Sequence, residues 1–183
     1  MYKRQQFDPT KYTPDYDKLS VMDKWLLSKL NSMVKAVDEN LGNYRIPEAA
    51  RALDDFVDDM SNWYVRRSRE RFWAKDMPQD KINAYMTLYK ALVTVSKAAA
   101  PMIPFMTEDI YQNIVRSVDE TAPESIHLCD FPEVNESYID KELEENMERV
   151  LDIVVLGRAC RNASAIKLSL IHISEPTRLA LIS

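Results

Sequence analysis

Glycine is nearly missing from this chain: its 183 residues contain two, Gly42 and Gly157. Glycine supplies the left-handed backbone positions that hairpins and tight strand-to-helix turns need, so a chain this poor in it is not expected to be rich in β-structure. With its two glycines far apart, it cannot form a glycine-rich phosphate loop. Cysteine is equally scarce, and Cys129 and Cys160 have no metal-ligand spacing. Two thiols in a chain of this length suit a reducing cytoplasm, the expected compartment, better than a disulfide framework. No apolar run approaches the ~20 residues that cross a bilayer, so no membrane partner is expected. Positive charge is not in excess either. The formal net charge is −5 and the sequence pI about 5.2, which argues against a chain coated in basic groups but leaves room for a local basic face.

What is present is helical periodicity. Hydrophobic residues make up 46% of the chain and charged residues 29%, enough apolar material for one domain with a substantial core. After a polar, proline-containing lead-in over 6–20, Leu26, Leu30, Met33, Val37 and Leu41 recur at helical spacing and predict a first helix over 21–40. Pro47 suits a first helical position and opens a second. Its inward stripe is Ala49, Ala50, Leu53, Phe56, Val57, Met60 and Tyr64, and no breaker intervenes before Pro78, so it is expected to continue to about Ala74. A third helix is predicted over 79–99, with Ile82, Tyr85, Met86, Tyr89, Leu92 and Val93 inward. Pro101 and Pro104 then break the chain before a short helix over 107–115. A polar connection follows, with a brief extended piece at 125–128. A last helix over 140–163 turns Leu143, Met147, Val150, Leu151 and Val154 inward, and Gly157 weakens it unless a neighbour packs close there. Five helices joined mostly by short connections predict an all-α antiparallel bundle.

The stretch with chemical character is Ser61-Asn62-Trp63-Tyr64-Val65-Arg66-Arg67-Ser68-Arg69-Glu70-Arg71-Phe72-Trp73, which packs four arginines and four aromatics into thirteen residues. On one continuous helix, Asn62, Arg66, Arg69 and Trp73 share a face, and Trp63, Arg67 and Arg71 form the adjacent row. Arginine forks grip phosphates at two points, and guanidinium planes and aromatic rings stack on unpaired bases. The composition also fits a plainer reading, a solvated arginine face with Tyr64 and Phe72 packed in the core. A catalytic constellation is missing. Cys129 and His127 stand two residues apart with no orienting group or oxyanion donor in view. The acidic pairs Asp54-Asp55 and Asp58-Asp59 look like the wet side of a helix rather than a metal site. No metal is expected.

The two ends read as foreign to the rest. Met1-Tyr2-Lys3-Arg4-Gln5 can be encoded as GTG TAT AAG AGA CAG, whose reverse complement translates as Leu168-Ser169-Leu170-Ile171-His172. One inverted DNA element at both ends, of the kind attached to fragments in transposase-made libraries, explains the match. The continuation through Arg178 looks like the adjoining adapter. On this reading residues 1–5 and 168–183 are adapter-derived, 6–20 is an extended lead-in or linker, and 21–167 is the helical domain. His172 then has no functional weight.

The arginine-aromatic segment closely resembles the isoleucyl-tRNA synthetase family. Asp23-Lys24-Trp25-Leu26-Leu27-Ser28 is similar to that family's first helix in its anticodon-binding domain. The run from Ala99 to Tyr111 is similar to a proline-broken turn shared more widely among class I synthetases. Ser125-Ile126-His127-Leu128 with Asp130-Phe131-Pro132, and Gly157-Arg158-Ala159-Cys160-Arg161-Asn162, also match. The resemblance covers about Phe7 to Lys167. It implies a piece of an isoleucine-tRNA ligase, a parent enzyme that uses ATP and magnesium and works in protein biosynthesis. The piece itself, without the catalytic domain, is expected to bind no cofactor and to catalyse nothing. Its implied partners are isoleucine tRNA, gripped at the anticodon stem-loop, and the catalytic domain of the same parent chain. The residues expected to meet RNA are Trp63, Arg66, Arg67, Arg69, Arg71 and Trp73, extended along the last helix by Arg158, Arg161 and Lys167. A helical protein-interaction module, docking an acidic partner on the arginine face, is the alternative. The same domain of a valyl- or leucyl-tRNA synthetase is another.

Overall fold

The first long helix starts where its own sequence caps it. Ser20 Oγ accepts from the Asp23 backbone N–H at 3.2 Å, and the Asp23 carboxylate accepts from the Ser20 backbone N–H at 3.0 Å. This reciprocal box satisfies two of the donors that every helix start leaves open. In the computed structural model, which describes residues 7–164, helix α1 then runs Val21–Gly42. Helix α2 follows over Ile46–Asp58, with Pro47 in its first turn. The chain continues through a π-helical segment, Asp59–Val65, into a short α3, Arg69–Trp73. Helix α4 spans Gln79–Ala99, α5 spans Pro104–Tyr111 and runs into a second π segment, Gln112–Arg116, and α6 spans Lys141–Ala163. No strand occurs among the described residues. The all-α bundle expected from periodicity is the architecture found, with six α-helices among the described residues where about five were expected.

The extra helix comes from a division of the expected second one. Its buried residues are Ala49, Leu53, Phe56, Met60, Tyr64, Ser68 and Phe72. From Phe56 onward they fall four apart without exception. An α-helix turns once every 3.6 residues, so each step of four drifts ~40° and Phe72 would end far from the core face. A π turn holds more residues, and the π segment at Asp59–Val65 takes up the drift. Ala50 and Val57 of the expected stripe are exposed. The run of fours is readable in the sequence, and it is the signal that a plain helical reading of 47–74 passes over.

Helix α4 also differs from expectation in which side chains it buries most. Its buried residues are Lys81, Asn83, Ala84, Thr87, Ala91, Ser96, Ala98 and Ala99, whereas Ile82, Tyr85, Met86, Tyr89, Leu92 and Val93 are half-buried. Ala84, Ala91 and Ala98 share a face by heptad spacing, and small side chains there allow close approach of a neighbouring helix. The larger residues flank this seam. No residue from Lys81 to Ala100 is exposed, so α4 is the central helix of the fold together with α1, whose Trp25, Leu26, Leu27, Leu30, Val34 and Val37 are nearly inaccessible.

Helix α4 runs parallel to α1. Tyr64 Oη donates to Asp23 near the start of α1 and lies 3.3 Å from the Ala84 carbonyl near the start of α4; further along, Leu27 lines one cavity with Met86, Thr87 and Lys90. The starts of α1 and α4 and all of α3 therefore share one end of the bundle. The α1–α2 turn and the α4–α5 break share the other, where Tyr44, Ile46, Ile103, Phe105 and Met106 are exposed.

The connection after α5 closes a small second cluster of Ala100, Tyr111 and Ile126, flanked by Val115 and Cys129. The brief extended piece expected at 125–128 is instead a 3-10 turn over Ile126–Leu128, capped by the Ser125 hydroxyl. The chain then returns to α1: Asn135 N–H donates to Asn31 Oδ1 at 2.8 Å and Asp140 N–H to Ser28 Oγ at 2.8 Å. The first turn of α6 is held there too, with the Ser28 and Ser32 hydroxyls both donating to Glu144.

Residues beyond Glu144 form a separate compact unit. No residue of α6 is buried. The expected inward stripe is therefore only half-covered at Leu143, Met147, Leu151 and Val154, and Val150 is exposed. Nothing approaches the Cβ position of Gly157, so its presence is not explained by close packing within the described residues. The adapter-like ends, His172 and Lys167 lie outside the described residues. Among the described residues no helix is long and apolar enough to cross a membrane.

Candidate nucleic-acid interface

The arginine-aromatic segment occupies the second half of the π segment and all of α3. Tyr64, Ser68 and Phe72 are buried. Arg66, Arg67 and Arg69 are exposed. The Arg67 guanidinium lies over the half-buried Trp63 ring at 5.9 Å, and that of Arg69 over the Trp73 ring at 5.1 Å. Trp73 is 72% exposed. A tryptophan this open in a helix of a folded domain gains little from its own burial, but it offers a flat face already carrying a cation. No ion pair engages Arg66 among the described residues.

The expected rows are partly rearranged. Arg69 and Trp73 are neighbours as the helical spacing required, and so are Trp63 and Arg67. Arg71, placed by that spacing in the row of Trp63 and Arg67, points instead between the starts of α1 and α4. Its side chain is 19% exposed. Nη1 and Nη2 donate to the two oxygens of Asp23 at 2.9 and 2.8 Å, and Nε and Nη2 donate to the two oxygens of Asp80 at 2.8 and 2.7 Å. Two carboxylates thus take the guanidinium in two-point fashion, and Nη1 also reaches Ser20 Oγ at 3.2 Å. The π segment is the reason: it rotates α3 relative to a continuous helix and sends residue 71 inward. The capping box Ser20-Val21-Met22-Asp23 is the sequence feature that marks Asp23 as a local acceptor. Nothing local marks its pairing with Arg71, 48 residues away.

Asp23 is fully buried, and a buried carboxylate must be paired or neutral. Burial pushes its pKa up, but hydrogen bonds from Arg71, Tyr64 and Ser20 more than offset this and hold it below the usual carboxylate value. Tyr64, donating to Asp23 Oδ1 at 2.6 Å, is pushed upward by burial and by the carboxylate charge, so its phenol remains a donor. Burial opposes the charge on Arg71, yet the two carboxylates raise its pKa further. Glu144 follows the pattern of Asp23: burial raises it, and the donors Ser28, Ser32 and Lys141 bring it below normal.

These directions fix a pH dependence. A carboxylate depressed by folding contributes its full stability above its unfolded value, about 4, and loses it as pH falls through the lower folded value. Stability of the chain is therefore expected to be flat near neutral pH and to fall below about pH 4, with Asp23→Asn shallowing the fall. Urea melts between pH 7 and 2.5 check this; an equally steep acid fall in the Asp23→Asn chain would refute the assignment to Asp23.

A second polar anchor fixes the other end of α3. Lys81 is buried, and its Nζ donates to the Ala74 carbonyl at 2.7 Å and the Asp76 carbonyl at 3.1 Å. A lysine there satisfies the carbonyls that a helix end leaves open. Sequence reasoning misses Lys81, because a buried lysine is recognisable only once its acceptors are in place.

The remaining candidates lie elsewhere. Arg158 is exposed and Arg161 half-buried on α6, in the second unit. Asn62 is exposed and donates to Asp58 Oδ1 at 2.6 Å, while Asp59 pairs with Lys29 at 3.0 Å. Asp58 and Asp59 thus serve structural contacts, and Asp54 and Asp55 are exposed on α2. Among the described residues no group of three or more metal-ligand side chains gathers. Cys129 Sγ donates to Tyr111 Oη at 3.6 Å, and His127 is exposed on the 3-10 turn.

Known proteins align with most of this chain's length. Isoleucine--tRNA ligases from Clostridium tetani and Clostridium novyi are each 54% identical over 162 residues, covering 88% of this chain and 16% of theirs. The isoleucine--tRNA ligase of Thermus thermophilus is 44% identical over 174 residues, 92% of this chain and 17% of its own. The chain thus spans about a sixth of the length of these curated relatives. Residues 23–173 match the family described as the anticodon-binding domain of tRNA ligase. On that match, which covers most of its length, the chain belongs to the family of tRNA-ligase anticodon-binding domains.

Proposed function

We propose that this chain is the tRNA-gripping helical domain of an isoleucine-tRNA ligase, and that the exposed arginines around α3, with Trp63 and Trp73, meet the RNA. The observation that carries this reading is the arrangement of Arg66, Arg67 and Arg69 with Trp63 and Trp73, all beside one another on one short stretch, with Trp73 left open to solvent. Guanidinium groups grip phosphates, and an open indole with a cation on it stacks on an unpaired base. Phosphate contacts position the tRNA and splayed anticodon bases supply the choice among tRNAs. Arg158, Arg161 and Lys167 are proposed as further basic residues that meet the RNA. The parent enzyme would activate isoleucine with ATP and magnesium in the cytoplasm. This piece holds the tRNA and performs no chemistry of its own.

The test is a titration of the 183-residue chain with an isoleucine tRNA transcript at two salt concentrations, beside a transcript with a changed anticodon. Binding is expected to weaken steeply with salt, as condensed counterions compete for the phosphates, and to weaken again with the changed anticodon. Equal affinity for both transcripts would remove the anticodon from the proposal. Binding indifferent to salt would remove phosphate recognition by the arginines.

A further inference from the structure

Three features meet at α3. It has five residues, Arg69–Trp73, and a helix so short is not stable by itself. It carries two of the side chains that the RNA reading needs outermost, Arg69 and Trp73. And it is tied down by charged groups on both sides. Arg71 joins it to Asp23 at the start of α1 and Asp80 at the start of α4, and Lys81 of α4 holds the carbonyls of Ala74 and Asp76 just past its end.

We propose that Arg71 is a positioning residue for RNA binding: with Asp23 it locks α3 so that Arg69 and Trp73 project together, and it does not itself hold a phosphate. This rests on the RNA-binding reading above and deepens it. All three guanidinium nitrogens of Arg71 already donate to Asp23 or Asp80. A phosphate could take the donors that face Asp23 only by stripping that carboxylate, which has no exposed surface and would be left charged and short of partners, and it could take the rest only by displacing Asp80, which already accepts from Nε and Nη2 at two points. Arg69 and Trp73 are not committed to buried carboxylates in this way; they stack on each other at the surface. Fixing the one helical turn that carries both removes the conformational freedom that binding would otherwise have to suppress.

The two roles differ most in what Asp23 does. Were Arg71 a phosphate ligand, Asp23→Asn would release it and remove a negative charge from beside a polyanion, so binding would hold or tighten. As a positioning pair, Asp23 and Arg71 fail together. The experiment uses the 183-residue chain and its Asp23→Asn, Arg71→Lys and doubly substituted forms, each first checked for helical circular dichroism. Arg71→Lys keeps a positive charge against Asp23 but loses the two-sided fork, so it tests geometry without stranding the carboxylate. Each single change is expected to weaken isoleucine tRNA transcript binding about 5- to 10-fold, and the double change no further than the worse single, as for residues acting through one interaction. Amide hydrogen exchange across 69–73 should rise in all three forms while 26–37 stays protected.

Asp23→Asn binding as tightly as the unchanged chain, or exchange across 69–73 that does not move in a folded variant, overturns the positioning role. Failure of the RNA reading has a different signature: the unchanged chain shows no salt-dependent tRNA binding, although exchange across 69–73 still rises in the variants. That result would leave the anchor of α3 in place and overturn its purpose.

Discussion

Replacing Arg66, Arg67 and Arg69 together by alanine is expected to weaken binding of isoleucine tRNA about 100-fold at moderate salt, with little loss of stability. All three side chains are exposed. A charge-assisted hydrogen bond contributes on the order of 1 kcal/mol or more after desolvation, so removing three of them amounts to roughly two orders of magnitude. The salt response separates this from a general weakening. Each phosphate of a single-stranded loop that the protein no longer neutralises lowers the slope of log affinity against log salt by about 0.7, so the slope of the triple variant should be shallower by about 2. Filter binding over a salt series measures both quantities. A triple variant that binds with unchanged affinity and slope would return the segment to the solvated arginine face that composition alone also allowed. Trp73→Ala belongs to the same series and should weaken binding without touching the slope, since stacking releases no counterions.

The largest effect on stability is expected from Arg71→Met. It leaves the fully buried Asp23 carboxylate with only Tyr64 and Ser20 as donors. Breaking a buried pair from one side costs about 3–5 kcal/mol, because the remaining charge has lost both water and its partner. The partial exposure of Arg71 places the expected value toward the lower end of that range. For a chain of this size each kcal/mol lowers the melting temperature by roughly 2–4 °C, so a fall on the order of 10 °C is expected. The companion double variant, Asp23→Leu with Arg71→Met, should recover most of the loss, since an apolar pair of similar volume replaces a buried ion pair at little net cost. Thermal and urea melts of both forms decide the matter. A single variant as stable as the parent chain would mean that Asp23 finds its proton or its partner elsewhere. The cap of α1 by Ser20 would then be a sufficient local explanation for Asp23.

These two expectations pull apart groups that look alike in sequence. Four arginines within six residues have the same local composition around them, yet three are placed at the surface and one holds the structure. The division follows from one feature of backbone geometry. The buried series Phe56, Met60, Tyr64, Ser68 and Phe72 keeps to the core only because the π segment absorbs its drift. The same adjustment turns Arg71 inward and leaves Arg69 out. Helical assembly of the chain was legible beforehand, because a stripe of apolar residues three and four apart reports a local and regular geometry. The start of α4 was legible from the breaker Pro78, whereas that of α1 was placed by its apolar stripe alone and its cap by Ser20 and Asp23 was passed over. The stripe of α6 is helical as its period predicts, but it is not covered, since periodicity states that a face is apolar and not what packs against it.

The sequence by itself determined the all-α class, the places where helices begin and break, and the segment in which arginines and aromatics gather. Each of these depends on residues within a turn or two of one another. The tertiary structure alone decided which arginine meets a carboxylate, that Lys81 and Asp23 are buried, that small residues rather than large ones line the seam of α4, and that Trp73 stays open. Those outcomes depend on pairs as far apart as Asp23 and Arg71. Where such groups meet is set by how helices pack and rotate against one another, which no local pattern of residues encodes.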